Sequence, residues 1–411
     1  MNTEVVNGAD APRRARVSSK IVVVVCVGFM LRVAAAIVMP DQSAILGDSI
    51  AYRAAGHSLW ITGQLGTPYH MPLYPAFIAV FGPGWPQLLI DITLSSAMIW
   101  LIYRLADVVF SDERTGLLAA AITAVYPNFI FFSIVGLTET LFMTLLVAGY
   151  LNWFRNSNLR GDVCAVLGIL TRPIIDPLAP ILVVCFTFLN RISGARITAG
   201  LILKRLAVYA ATYCVLMAPW WLHNYEAYGR FVRLNLGGGL ALFSGNNPSN
   251  QTGGLDTDLD ESAAPFYKIE DPFARDQAMR DAAISYIKKD PVRFIEQGLL
   301  KLLRFWRPWP YTAKYASPVY IIISLCSFVP VAGMAVVFLV VGARTQLVRA
   351  APMILFILYL TALHMVFPGS IRYRLPLEPF LIVLGAEGAM ILATERFRFG
   401  KGTALLTQSS S

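Results

Sequence analysis

Charged residues are scarce in this sequence. Only 14% of its 411 residues are Asp, Glu, Lys or Arg, whereas 56% are hydrophobic, and the mean hydropathy is +0.59. A soluble chain of this length carries far more charge on its surface, so the composition excludes an ordinary water-soluble protein. The sequence therefore predicts an all-α polytopic membrane protein.

Cysteine and histidine are also few, with five Cys and four His in the whole chain. The cysteines are odd in number, show no metal-ligand spacing and lie within or beside apolar segments. They predict neither a disulfide framework nor a metal site, and are interpreted as packing residues: Cys26, Cys164, Cys185, Cys214 and Cys326.

Basic residues outnumber acidic ones, and the formal net charge is +9. They occur in small groups between apolar runs, which is the pattern of the positive-inside rule. Nucleic-acid binding typically needs a basic patch or stripe on one face instead. The charge therefore predicts contact with membrane lipids and no nucleic-acid partner.

A series of apolar segments predicts the membrane crossings. They cover residues 21–39, 88–103, 117–132, 140–154, 163–189, 206–222, 319–341, 352–367 and 376–394. The basic groups between them give about ten crossings with both termini cytoplasmic. The apolar segment 72–82 is too short to span a bilayer and is predicted to lie at the interface.

The segment 163–189 is open to two interpretations, one tilted helix or two short helices around Thr171-Arg172-Pro173. Both flanking loops are basic and predicted to be cytoplasmic, so the segment must enter and return. This favours a broken hairpin whose freed backbone groups are shielded by protein.

The crossings divide the chain into five parts. They are a cytoplasmic tail (1–20), a transmembrane module (21–222) that includes a first outer loop (40–87), an extracytoplasmic loop region (223–317), transmembrane helices (318–395) and a cytoplasmic tail (396–411).

The first outer loop contains a nearly solitary carboxylate. Between Pro40 and Met71 the only acidic residues are Asp41 and Asp48, and the only Arg or Lys is Arg53. An isolated acid at a membrane surface is a candidate general base. The alternative is that Asp48 caps the amphipathic helix predicted over 49–61.

Polar side chains from distant segments converge on the same outer face under this topology. Besides Asp48 they are Tyr69, His70, Arg172, Arg372, Tyr373 and Arg374. The positive-inside bias disfavours arginine there, so Arg372 and Arg374 need a role, and a lipid phosphate is a suitable partner. The alternative for Arg372 and Arg374 is that their side chains snorkel to the membrane interface or pair nonspecifically with lipid headgroups. The alternative for Arg172 is an ion pair with Asp176, four residues further along the chain.

Four further features carry weaker signals. Glu139 either lies near a helix start or lines the same pocket. The glycines at 237–239 and the stretch 245–248, with Asn246 and Asn247, predict tight turns in a short hairpin or backbone amides that approach a ligand. Acids at 256–261 lack the glycine and final Glu of a calcium loop, and aromatics at 305–309 are typical of an interfacial belt.

Taken together, these motifs resemble the GT-C superfamily of integral-membrane glycosyltransferases, in the bacterial branch related to protein O-mannosyltransferases and lipid A aminoarabinose transferases (family 39-like). The matching motifs follow the family's order: Gly47-Asp48 to Tyr52, His70-Met71-Pro72-Leu73-Tyr74-Pro75, Thr138-Glu139-Thr140, Leu170-Thr171-Arg172-Pro173, Ala218-Pro219-Trp220 with His223-Asn224-Tyr225, Gly245-Asn246-Asn247-Pro248 and Arg372-Tyr373-Arg374-Leu375-Pro376.

The resemblance implies a GT-C-like transmembrane helix bundle and an inverting sugar transfer from a polyprenyl-phosphate donor on the extracytoplasmic side of a bacterial inner membrane. By the same resemblance, Asp48 matches the acid that deprotonates the acceptor hydroxyl. Arg372, Arg374, Arg172 and His70 are expected at the donor phosphate. The expected substrate pocket comprises Tyr52, Tyr69, Glu139, His223, Asn246, Asn247 and Tyr373.

Two departures from the family bear on these expectations. His223 stands where relatives commonly carry Arg, and Ser49 follows Asp48 where protein O-mannosyltransferases have Asp-Glu. The second departure favours a glycan or lipid acceptor over a protein.

Two rival functions remain open at the level of sequence, a flippase or transporter of lipid-linked sugars and a polysaccharide polymerase. A transporter typically shows repeat symmetry, and the sequence has no evident internal repeat. No metal site is assigned, because the outer acids show no ligand pattern, and a divalent metal stays open.

Overall fold

The computed structural model describes residues 19–39, 47–189, 197–254, 259–311 and 317–408, and all regular secondary structure in these ranges is helical. The predicted all-α fold is confirmed. The helices are α1 (Ser19–Val38), α2 (Gly47–Thr62), α3 (Leu73–Phe81), α4 (Trp85–Phe110), α5 (Glu113–Val125), α6 (Pro127–Phe132), α7 (Thr138–Phe154), α8 (Asn158–Thr171), α9 (Ala179–Leu189), α10 (Ala199–Tyr228), α11 (Gly238–Asn246), α12 (Leu259–Tyr267), α13 (Pro272–Lys289), α14 (Pro291–Trp306), α15 (Pro318–Val341), α16 (Arg344–Val366), α17 (Ile371–Arg374) and α18 (Glu378–Gln408).

The chain is a multi-pass membrane protein. Within the described ranges, six helical segments are long and apolar enough to cross a membrane: α1, α4, α10, α15, α16 and Ile371–Thr394. The other predicted crossings correspond to the shorter helices α5, α7, α8 and α9. The segment 72–82 contains only the nine-residue helix α3, as its length predicted.

The prediction of one continuous helix over 117–132 is wrong. The chain breaks at Tyr126, whose backbone is extended (φ −68°, ψ 114°), and a new short helix begins at Pro127. A proline disfavours helical backbone at the residue before it, so Pro127 accounts for the break.

The segment 163–189 forms two short helices, in line with the broken-hairpin interpretation. Helix α8 ends at Thr171, Arg172 has extended backbone (φ −146°, ψ 118°), and a 3-10 turn over Pro173–Ile175 precedes α9. Here too the residue before a proline ends the helix.

The prediction of a hairpin around residues 237–248 is wrong, because the segment forms helix α11. Gly237 precedes the helix with a φ of 106°, which a residue with a side chain rarely adopts. The amides of Gly237, Gly239 and Leu240 all donate to Oδ1 of buried Asp276, at 3.0, 2.9 and 3.3 Å. The backbone amides that were a candidate ligand site therefore already donate their hydrogen bonds to Asp276.

Helix starts in the second half of the chain follow one pattern, a capping side chain followed by proline. Asp271, Asp290 and Ser317 each accept a backbone N–H, and a proline occupies the first helical position of α13, α14 and α15. Three of the predicted part boundaries lie inside helices, since α1 begins at Ser19, α10 continues to Tyr228 and α18 continues to Gln408. Residues 1–18, Asp256 and Asp258 lie outside the described residues.

The bundle packs around α4, α7 and α18. Helix α4 contacts α1, α5 and α7, α7 also packs along α8, and α15 packs along α18. Buried Arg32 joins three helices, since it donates to Ser95 Oγ on α4 (2.7 Å) and to the Ala124 carbonyl of α5 (3.1 Å). These contacts fix α1, α4, α5 and α7 relative to one another, and the start of α7 carries one residue of the candidate site.

Candidate functional site

Four charged side chains from separate parts of the chain meet at one end of the bundle; we call Asp48, Glu139, Arg172 and Arg372 the charged cluster. Arg372 Nη1 lies 2.5 Å from Asp48 Oδ2, and its Nε donates to Glu139 Oε1. Arg172 Nη1 lies 2.5 Å from the same Glu139 oxygen. Two carboxylates and two guanidinium groups thus alternate and balance one another in charge.

The two acids of the cluster differ in exposure. The Glu139 side chain is fully buried, whereas 55% of the Asp48 side chain is exposed. A buried carboxylate needs close partners, and Glu139 has two. Asp48 is therefore the acid of the cluster that a bound substrate can reach.

Asp48 and Glu139 are positioned by the starts of α2 and α7. Asp48 lies in the first turn of α2, and the next residue, Ser49, anchors that turn by donating to the Val135 carbonyl at 2.7 Å. Glu139 lies in the first turn of α7 and turns its carboxylate toward the two arginines. Glu139 was predicted either to lie near a helix start or to line the pocket. Its hydrogen bonds from Arg172 and Arg372 place its side chain in the charged cluster.

Arg172 reaches the cluster from the break after α8. It also donates to Thr138 Oγ1 at 3.3 Å. The alternative of an Arg172–Asp176 pair is wrong, because Asp176 pairs with Arg233 at 2.5 Å and accepts from the Tyr213 hydroxyl at 2.8 Å. The proline after Arg172 removes the regular helical spacing that this pair requires.

Three predicted aromatic residues surround the charged cluster. The Tyr52 ring lies 4.4 Å from the His70 ring, and Tyr52 and Tyr373 both lie in the electrostatic field of the four cluster side chains. Burial lowers the pKa of His70 below its ordinary value of 6.5, and the neighbouring Asp48 carboxylate opposes this in part. Burial likewise raises the pKa of the Tyr52 hydroxyl. At neutral pH both side chains are uncharged.

Arg374 lies apart from the cluster, although it belongs to the same predicted set. Its side chain is buried, pairs with Glu378 at 2.9 Å and donates to the carbonyls of Phe305 and Arg307 at 3.3 and 2.7 Å. Its guanidinium also lies 3.6 Å from the centre of the Phe328 ring. These contacts hold the end of α14 and leave Arg374 facing protein.

The remaining predicted site residues also make contacts within the protein. The Tyr69 carbonyl accepts from Asn235 at 2.7 Å, and His223 Nε2 accepts from the Leu65 amide at 3.4 Å. Asn247 Oδ1 accepts two amides of the following turn, and Asn246 Oδ1 accepts from buried Lys301 at 2.8 Å. The structure does not bring these four residues into hydrogen-bond contact with the charged cluster.

An apolar groove of about 590 Å³ begins beside the charged cluster and runs between α1, α6 and α15. Its walls are mostly hydrophobic, and its basic lining residues are Arg304, Arg307 and Arg372. Arg372 therefore belongs both to the groove and to the charged cluster. A long apolar cavity with cations at one place suits a lipid that carries an anionic group.

Sequence reasoning missed Arg304 and Arg307. Arg304 lies 3.7 Å from the centre of the Tyr311 ring and donates to Thr252 Oγ1 at 2.7 Å, and Arg307 lies 4.6 and 4.8 Å from the rings of Trp309 and Tyr311. The alternation of arginine and aromatic residues over 304–311 is a usable signal, and the prediction of an interfacial belt uses only its aromatic half. Stacking orients the planar guanidinium groups beside the groove.

Within the ranges that the structure describes, no group of three or more His, Cys, Asp or Glu side chains is placed to hold a metal ion. The charge balance at the charged cluster is provided by arginine.

No family model matches the sequence, and a comparison with curated proteins finds no match. Solved structures do match. The oligosaccharyltransferase AglB of Archaeoglobus fulgidus, in complex with an inhibitory peptide and a dolichol-phosphate, is 14% identical over 94% of this chain and 51% of its own, with a TM-score of 0.51. A second structure of this oligosaccharyltransferase, tethered to an acceptor peptide, is 15% identical over 92% of this chain and 49% of its own, with a TM-score of 0.54.

ArnT from Cupriavidus metallidurans, bound to undecaprenyl phosphate, is 13% identical over 91% of this chain and 60% of its own, with a TM-score of 0.51. This chain thus spans between about half and three fifths of the length of these structures. Identities this low establish the fold alone. The resemblance first seen in the ordered motifs is confirmed at that level, and the chain has the fold of the GT-C superfamily of membrane glycosyltransferases.

Proposed function

We propose that this chain is a membrane glycosyltransferase that transfers a sugar from a polyprenyl-phosphate donor to a hydroxyl group of a glycan or lipid acceptor. One observation carries the proposal. Arg372 holds the accessible carboxylate of Asp48 and at the same time lines the apolar groove. A base for the acceptor and a cation for the donor phosphate are therefore adjacent.

The groove is suited to the donor. Its apolar walls match a polyprenyl chain, and Arg304, Arg307 and Arg372 match the phosphate at the polar end of that chain. The solved structures of similar fold that contain dolichol-phosphate and undecaprenyl phosphate support this choice of lipid.

The reaction follows from this arrangement. The acceptor oxygen attacks the anomeric carbon from the side opposite the phosphate, and its proton passes to Asp48. The bond between the anomeric carbon and the phosphate oxygen breaks, and its electron pair stays on that oxygen. The leaving phosphate gains one negative charge, which Arg304, Arg307 and Arg372 stabilise. The configuration at the anomeric carbon is inverted.

The other cluster residues have supporting roles in this proposal. Glu139 positions Arg372 beside Asp48, and Arg172 pairs with Glu139 from the other side. Tyr52, His70 and Tyr373 surround the sugar. The site opens on the extracytoplasmic side of a bacterial inner membrane. The predicted topology supports this side, because the short basic loops are cytoplasmic and the site lies at the opposite ends of the crossings.

The test is transfer by the purified protein in lipid vesicles. Vesicles receive polyprenyl-phosphate sugars labelled in the sugar, together with a glycan and lipid extract as the acceptor. We expect label in a glycan or lipid product, inverted at the anomeric carbon, with one polyprenyl phosphate released for each sugar transferred. Movement of intact donor between leaflets without product would overturn the proposal in favour of a flippase, and addition of whole oligosaccharide units would favour a polymerase.

A further inference from the structure

A second cavity lies outside the charged cluster and the apolar groove. It has a volume of about 310 Å³ and is formed by the end of α11, the end of α13 and the start of α14; we call it the α13–α14 cavity. Its lining includes Asn246, Tyr286, Lys289, Arg293, Phe294 and Gln297. Its size and its mixture of aromatic, amide and basic side chains differ from those of the apolar groove.

Gln297 carries the main observation. The residue is only 9% exposed, it lines the cavity, and its Oε1 has no hydrogen-bond partner among the residues that the structure describes. Leaving a buried carbonyl oxygen unpaired is unfavourable, and such an atom in a folded protein calls for an explanation. An amide oxygen can only accept a hydrogen bond, so the missing partner is a donor such as a hydroxyl group.

The other lining residues indicate the charge and the shape of the ligand. Lys289 and Arg293 give the cavity two cations, against the single carboxylate of Asp290, whose Oδ1 already accepts the Arg293 amide at 2.9 Å. The excess positive charge favours an anion. The half-buried rings of Tyr286 and Phe294 offer apolar surface to the carbon face of a flat ring.

We propose that the α13–α14 cavity binds an acidic saccharide, a pyranose that carries a carboxylate. One of its hydroxyl groups donates to Gln297 Oε1, its carboxylate lies near Lys289 and Arg293, and its carbon face lies against Tyr286 or Phe294. If the proposed function holds, this saccharide is part of the acceptor glycan, and that assignment rests on the proposed function.

The position of the cavity supports an acceptor role. Its wall residue Asn246 accepts from Lys301 and donates to the Val366 carbonyl at 3.0 Å. Lys301 in turn packs its backbone against Gly369, where a Cβ would lie 2.3 Å from the Lys301 carbonyl oxygen. Gly369 lines the apolar groove, so a thin layer of protein separates the cavity from the groove.

The test is binding of glucuronate to the full chain in detergent, with glucose and glucosamine as neutral and cationic comparisons. We expect glucuronate to bind most tightly and glucosamine most weakly. Gln297→Leu should weaken glucuronate binding by about tenfold, because the hydrogen bond is lost. Lys289→Glu should weaken glucuronate binding and leave glucose binding unchanged.

Matched controls are available on α13. Gln277→Leu and Lys288→Glu alter exposed residues of α13 that do not line the cavity, so both should bind as the wild type does. Gln297→Leu removes an unpaired buried oxygen, so we expect its melting temperature to stay at or above the wild-type value, which separates loss of binding from unfolding.

Absence of glucuronate binding by the wild type, or equal binding by a folded Gln297→Leu protein, would overturn the inference. The Asp48→Asn variant separates the proposed sugar transfer from the proposed saccharide site. Glucuronate binding should survive in that variant even when sugar transfer is lost. If the wild type binds glucuronate but transfers no sugar, the saccharide site stands and only its assignment to an acceptor falls.

Discussion

Arg372 and Arg374 stand two residues apart in one short helix, yet their surroundings differ in almost every respect. Arg374 is fully buried, paired with one glutamate and bonded to backbone carbonyls. Arg372 is partly exposed, shared between two carboxylates and open to the apolar groove. Arginines in one motif can therefore be divided by burial and partner into one that holds the fold and one that, in the proposed function, faces substrate.

The largest expected effect on stability comes from Arg374→Met. Removing this cation leaves Glu378 charged and buried without its cationic partner, which costs about 3–5 kcal/mol of unfolding free energy. Arg372→Met should cost only about 1 kcal/mol, because Glu139 keeps Arg172 and Asp48 is exposed. Unfolding in mixed detergent measures both. Equal losses would contradict the comparison, and Arg374→Met with Glu378→Leu should regain most of the lost stability.

A smaller effect, on donor affinity, is expected for Arg307→Ala. Loss of one guanidinium from the groove should weaken binding of undecaprenyl phosphate by about tenfold while the protein stays folded. The control is Arg230→Ala, since Arg230 is exposed, pairs with Asp271 and does not line the groove. Binding to protein in nanodiscs provides the measurement, and unchanged affinity would remove Arg307 from the phosphate site.

The smallest effect concerns pH and His70. Its pKa in the folded protein is lowered by burial, so below the ordinary value of 6.5 the unfolded chain binds the proton more readily. The stability that neutral His70 contributes is therefore complete above pH 6.5 and lost as pH falls below it. His70→Phe keeps a ring beside Tyr52. In this variant the melting temperature should change less between pH 7 and pH 5 than it does in the wild type. An unchanged slope would contradict this assignment.

Much of the fold was predictable because its signals are local. Apolar length fixed the long helices, and a capping residue followed by proline marked the starts of α13, α14 and α15. The failure at 117–132 is local too, since Pro127 ends a helix that hydropathy alone continues. The failure at 237–248 is not local, since the glycine amides that begin α11 donate to Asp276, which is distant in the sequence. The last contact has no counterpart in the local sequence.

The candidate site was predictable only in part. Topology and ordered motifs brought together Asp48, Glu139, Arg172 and Arg372, whose contacts the structure shows. The same reasoning could not separate Arg372 from Arg374, because burial is set by packing against Phe328 and α14. Nor did it find Arg304 and Arg307, whose relation to the groove depends on how the end of α14 lies against α17.

In the proposed reaction, Asp48, held by Arg372, accepts the proton of the acceptor hydroxyl. The most direct test is the rate of sugar transfer by Asp48→Asn in vesicles, with Asp281→Asn on the exposed face of α13 as the control and monodispersity as the check on folding. Loss of a general base predicts a rate about 10²- to 10⁴-fold below wild type, with donor binding retained and the control unaffected. A folded Asp48→Asn protein that transfers sugar at nearly the wild-type rate would contradict the account.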